Sequence, residues 1–173
     1  MKLKLLAYSV DIKFINDLEL MSELQNAYRI VEQCIENLGL DPTTVRGEKE
    51  GQWSLNKGSA KVWIDVWHIE KEDRAYFQAM SPVMQDPANN TDLYRELLEI
   101  NDKLFGVAFT LYNGWVWLKM IREVEGMDEN EAFAMITRIG NYADQYDDLL
   151  IGKYATVAHD NGGASGGPGG PTV

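Results

Sequence analysis

An α+β fold is what this 173-residue sequence predicts: an antiparallel sheet of about five strands with helices packed on it, in the order α-β-β-β-α-β-β-α. Three observations carry the prediction. Residues 107–121 spell a hairpin whose register can be read directly, residues 44–83 alternate with period two, and three other segments repeat apolar residues at four- and three-residue steps.

The hairpin is the most informative element. Asn113-Gly114 is the pair that a two-residue type I′ turn requires, since both positions need positive φ. A two-residue loop makes Tyr112 face Trp115, Leu111 face Val116, Thr110 face Trp117, Phe109 face Leu118 and Val107 face Met120. Cross-strand partners share a sheet face. Val107, Phe109, Leu111, Val116, Leu118 and Met120 therefore form one apolar face, and Thr110, Tyr112, Trp115, Trp117 and Lys119 form the other.

The first helix is expected over residues 17–38, where Leu20, Leu24, Ala27, Val31, Cys34 and Leu38 fall on one stripe. Gly39 supplies its left-handed cap and Pro42 prevents continuation. Three strands follow as a meander. Trp53 and Leu55 precede the turn Asn56-Lys57-Gly58, and residues 59–69 alternate Ala60, Val62, Ile64 and Val66 against Lys61, Trp63, Asp65, Trp67 and Ile69. A charged connection leads to a strand over residues 75–81 that is expected to end at Pro82, which cannot donate to a ladder.

Asn90 or Thr91 caps a second helix with Leu93, Leu97, Ile100 and Leu104 on its apolar side, and Gly106 stops it. After the hairpin, Asp128 with Glu131 has capping-box spacing. The third helix carries Ala132, Ile136, Ile139, Ala143, Tyr146 and Leu150 inward and is expected to stop near Gly152. One domain over residues 1–155 is expected, followed by a glycine-rich tail, residues 156–173. That tail cannot repay its ordering entropy and is expected to be disordered.

Composition narrows function by exclusion. Sixteen basic against 27 acidic residues give a net charge of −11. That balance argues against nucleic acid, whose binding rests on Lys and Arg, and against an anionic membrane surface. The single cysteine, Cys34, rules out an intrachain disulfide and lies on an apolar stripe, as a buried thiol would. No stretch reaches the roughly 20 apolar residues of a membrane span. The opening residues only faintly imitate a signal peptide, so a cytoplasmic protein is expected.

Catalytic chemistry has no recognisable carrier. His68 and His159 have no ligand or triad spacing around them, and clustered Cys and His for zinc are missing. Asp144, Asp147 and Asp148 share a helix face, which is read as solvated surface. No metal and no cofactor are expected, and no residue is assigned a catalytic role.

The two strand readings combine into a site. With Val62, Ile64, Val66, Phe109, Leu111, Val116 and Leu118 turned to the helices, Trp63, Trp67, Tyr112, Trp115 and Trp117 lie on the opposite face with Lys61, Asp65 and Lys119. Tryptophan and tyrosine offer large contact area at low rotamer cost. These five aromatics are the candidate partner-binding residues. Either residues 2–14, a symmetric partner or a protein client would cover them.

The element order, together with the segments Trp53, Gly58-Ser59-Ala60, Ser81-Pro82-Val83, Leu97-Leu98-Glu99-Ile100-Asn101 and Tyr142-Ala143-Asp144, resembles the bacterial YbjN family over about residues 18–151. YbjN-like domains are similar in fold to the chaperones of type III secretion, an antiparallel sheet with helices against it. The resemblance brings no catalytic motif. It implies a non-enzymatic protein-binding module, chaperone-like or regulatory, whose partner is a protein client or a second copy in a homodimer. A dedicated secretion chaperone is the first alternative, and an acidic-cleft ligand-binding domain or hydrolase the second.

Overall fold

The computed structural model describes the backbone of residues 2–155, and side chains for Ile15 and from Asp17 onward. The expected tail, with His159, lies outside the described residues.

The elements follow the expected order. Helix α1 is Lys2–Asn37, strands β1 (Gln52–Lys57), β2 (Ala60–Ile69) and β3 (Arg74–Gln85) form the meander, and α2 is Thr91–Asn101. Strands β4 (Ala108–Tyr112) and β5 (Trp115–Glu123) make the hairpin, and α3 is Glu129–Tyr154. All strand pairs are antiparallel, in the spatial order β1-β2-β3-β5-β4. The central strand is thus β3, and the hairpin docks on it through β5.

Local chemistry sets each boundary. Asn113 and Gly114 have φ of 48° and 74°, as the type I′ turn demands. The register is the expected one from Tyr112↔Trp115 through Phe109↔Leu118. Pairing ends at Ala108↔Lys119, so the expected Val107–Met120 pair is not part of the ladder, although both side chains are buried. The Asn90 side chain accepts from the Leu93 backbone N–H at 3.0 Å and starts α2. The Asp128 carboxylate accepts from the Glu131 N–H at 2.8 Å and starts α3.

Three boundaries differ from expectation. Helix α1 begins at Lys2 rather than near residue 17, since residues 2–16 contain neither glycine nor proline to interrupt it. Strand β3 runs through Pro82 to Gln85. Its register shifts between Pro82 and Met84, and this bulge accommodates a residue that has no N–H to give. Helix α3 passes Gly152 and ends at Tyr154.

One core holds the layers together. Ala27, Val31, Cys34 and Ile35 of α1 and Ala132, Ile136, Ile139, Ala143 and Leu150 of α3 pack with Val62, Ile64, Val66, Phe77, Ala79, Val116 and Leu118 from the sheet. Leu93, Leu97 and Ile100 of α2 close one end. Leu111 corrects the sequence reading. It lies on the inner side of the hairpin but is 50% exposed on the edge strand β4, while its partner Val116 on β5 is fully buried. Gly140 earns its place in α3 by close approach, since a Cβ there would sit 2.6 Å from Lys57 Cδ.

Candidate functional site

The face of the sheet turned away from that core carries a second, separate apolar cluster. Trp63 of β2, Met80 of β3 and Trp117 of β5 are buried in it, with Trp115 packed partly against them. No described side chain of the helices belongs to this cluster.

Its geometry follows from strand order. Trp63 pairs with Met80 and Pro82 pairs with Trp117, so the two tryptophans stand on either side of the central strand. Their rings close over it at a centroid distance of 5.0 Å, leaving Met80 2% exposed. The Trp117 indole N–H donates to the Tyr112 carbonyl at 3.1 Å, and the Lys61 ammonium lies 5.1 Å from the Trp63 ring centroid.

The five sequence-identified aromatics therefore share one face but have different surroundings. Trp63 and Trp117 are 8% and 1% exposed, so they form a floor and not an open contact surface. Trp67 and Trp115 are half-buried and Tyr112 is exposed. Trp67 stacks on Tyr76, its cross-strand partner, at 5.9 Å. Ile121 of β5 adds an exposed apolar side chain to the same face.

Sequence reasoning missed a polar row across this surface. Gln52, Asp65, Gln78 and Ile121 are consecutive cross-strand neighbours from β1 to β5. Asp65 and Gln78 are only 4% and 3% exposed. The Gln52 amide donates to Asp65 Oδ1 at 2.9 Å and the Gln78 amide to Oδ2 at 3.3 Å. Burial raises the Asp65 carboxyl above the ordinary aspartate value, opposed by the Gln52 and Gln78 hydrogen bonds and by the more distant charges of Lys119 and Lys49. No Lys or Arg among the described residues pairs with it within 4.0 Å. The Trp67 indole N–H, two residues along β2 on the same face, is buried without a hydrogen-bond acceptor.

The other residues singled out in sequence have structural roles. Asp144 accepts from the Ser59 hydroxyl at 2.6 Å and Asp147 from the same hydroxyl at 3.0 Å, tying α3 to the β1–β2 turn. Among the described residues no group of acids, histidines or cysteines is arranged to hold a metal ion. Cys34 is fully buried, and burial, with the Glu129 carboxylate nearby, pushes its thiol up to about 12. Among the described residues no helix is long and apolar enough to cross a membrane.

Comparison with solved structures places the fold. The chain is similar to the ExsC–ExsE complex structure, with a TM-score of 0.56 and 18% identity over 73% of this chain and 94% of that one. It is similar to the HopA1–SchA chaperone–effector complex, with a TM-score of 0.55 and 9% identity over 74% of this chain and 97% of that one. YbjN from E. coli also matches, with a TM-score of 0.42 and 16% identity over 70% of this chain and 87% of that one. A search of curated protein sequences returned no match. Residues 25–155, which hold the whole sheet, α2, α3 and α1 from Gln25 onward, match the family model described as T3SS (YopN, CesT) and YbjN peptide-binding chaperone 1, and the chain belongs to that family.

Proposed function

We propose that this protein is a non-enzymatic peptide-binding module, chaperone-like or regulatory, that holds an extended segment of a protein partner on the outer face of its sheet. The observation that carries the reading is an aromatic surface with no described helix side chain on it. Trp63, Met80 and Trp117 make a rigid floor, and Trp67, Tyr112, Trp115 and Ile121 present contact area around it. Side chains that are ordered before binding lose little entropy on contact, which favours affinity. The family is one of peptide-binding chaperones, and two similar folds were solved as complexes with another protein, ExsE and HopA1.

The test uses decapeptides selected from a random display library on the full chain. Ile121→Glu, an exposed change on the face, should weaken the selected peptides at least tenfold. Leu149→Glu, an exposed change on α3, should leave them unaffected. Equal affinities for the two variants would refute the face as the binding surface.

A homodimer rests on a different surface. Leu98 of α2 and Phe105 after it are 70% and 73% exposed, the most exposed large apolar side chains described. We propose that α2 is the self-association surface, which leaves the sheet face to the client. Sedimentation of Leu98→Glu should then show a monomer, and a wild type that is itself monomeric at micromolar concentration refutes this second reading.

A further inference from the structure

The outer face has a chemical specificity beyond its aromatic area. Asp65 sits at the middle of the polar row, and on its own strand Trp63 and Trp67 flank it two residues to either side. The carboxylate therefore lies between two indoles on its own strand, covered in this structure and bordered on the edge-strand side by half-buried Gln52. A carboxylate has about four acceptor sites, and only the two amide donors of Gln52 and Gln78 are given to this one. The carboxylate is thus buried, short of donors and without a cation. Beside it the Trp67 indole N–H is buried and short of an acceptor. These are complementary deficits, since one wants a positive donor and the other wants a carbonyl oxygen.

We infer that Asp65, once the Gln52 side chain swings aside, becomes a specificity pocket for a single Lys or Arg side chain of an extended peptide, with Trp67 Nε1–H donating to a backbone carbonyl of the same segment. This rests on the proposed role of the outer face and goes further by naming the residue the face selects. A cation entering there meets the carboxylate directly, which favours it over a neutral side chain. Gln52, half-buried on the edge strand, is the wall that moves to admit it. The chain's net charge of −11 acts in the same direction at long range. Lys61, over the Trp63 ring, and Lys119, paired with Met80, are cations of this face, as is Arg74, which is ion-paired with Glu125 at 2.8 Å. They repel a dense basic cluster, so the fitting segment carries one isolated basic residue among apolar ones.

The same display library tests the inference. Decapeptides selected on the wild-type chain should be enriched in Lys or Arg at one position, with apolar residues around it. Replacing that residue by norleucine should cost at least tenfold in affinity. On Asp65→Asn, which keeps the shape of the side chain and one of its two acceptor oxygens, the norleucine penalty should fall below twofold while the norleucine peptide binds as before. Trp67→Phe, which keeps a ring and loses the N–H, should weaken Lys and norleucine peptides equally. Circular dichroism should show both variants folded. Peptides that lose affinity with Ile121→Glu yet show no basic enrichment would overturn the Asp65 pocket and leave the face standing. A norleucine penalty that persists in Asp65→Asn would overturn the pocket as well, by tracing the preference to overall charge. Peptides indifferent to Ile121→Glu would overturn both.

Discussion

Trp117 should be among the most costly residues to truncate, although it lies outside the main core. Its side chain is 1% exposed, packs tilted against Trp63 with ring centroids 5.0 Å apart and donates to the Tyr112 carbonyl at 3.1 Å. A buried tryptophan removes roughly 150–250 Å² from water. At about 25 cal/mol per Å² this corresponds to roughly 4–6 kcal/mol, an upper figure because neighbours relax into the space. The lost hydrogen bond adds little, because the carbonyl of exposed Tyr112 can turn to water. Trp117→Ala should therefore destabilise the chain by about 3–5 kcal/mol, comparable with the 2–5 kcal/mol expected for Leu118→Ala in the main core. The sequence places Leu118 toward the helices and Trp117 on the opposite face, and the burial of Trp117 beside Met80 makes the two comparable. Urea unfolding of Trp63→Ala, Trp117→Ala and the double variant measures the coupling directly. The cycle should return about 0.5–1.5 kcal/mol for the aromatic pair. A Trp117→Ala cost under about 1 kcal/mol, or additive single costs, would refute the closed floor over β3.

Three further outcomes follow from named contacts. Folding raises the Asp65 carboxyl, so the folded state is helped most below the unfolded-state value near 3.9, and the help is lost as pH rises through the folded value. Asp65→Asn should thus gain stability relative to wild type between pH 4 and pH 7, and denaturant titrations showing the reverse trend would contradict its burial without a cation. Glu96 is held below the ordinary glutamate value by hydrogen bonds from Lys153, at 2.6 Å, and from Tyr154. Its contribution is present above the unfolded-state value and lost as pH falls through the folded one. Glu96→Gln should therefore lower the melting temperature slightly at pH 7 and not at pH 3, with at most about 1 kcal/mol at stake for so exposed a pair. Finally, Gly140→Ala should be close to neutral alone, because the helix gain of roughly 1 kcal/mol is opposed by the contact with Lys57. In a Lys57→Ala background, where only the Cβ of residue 57 remains at 3.1 Å, the same change should stabilise by part of that amount, and no gain there would show that the lysine stem beyond Cβ is not what requires the glycine.

The hairpin was legible because Asn113-Gly114 pins a two-residue loop, and every later pair follows by counting. The faces of β2 were legible by the same alternation. The position of β3 between β2 and β5 was not. Without that strand order Trp63 and Trp117 read as two separate exposed indoles, whereas in the sheet they meet over Met80. Strand β3 itself was cut short at Pro82, because the bulge that accommodates a proline in a central strand leaves no signature in periodicity. The Gln52–Asp65–Gln78 row was missed for a related reason. Polar residues alternating with apolar ones signal a solvated face, and only the flanking aromatics, contributed by other positions and strands, bury them.

Site-specific photocrosslinking tests the central claim most directly. Benzoylphenylalanine placed at position 121 should crosslink bound decapeptides from the display selection, and mass spectrometry should map the adducts to one extended stretch of each peptide. The same probe at position 149 on α3 should give none. Crosslinks from position 149 and not from 121 would contradict a partner held on the outer face of the sheet.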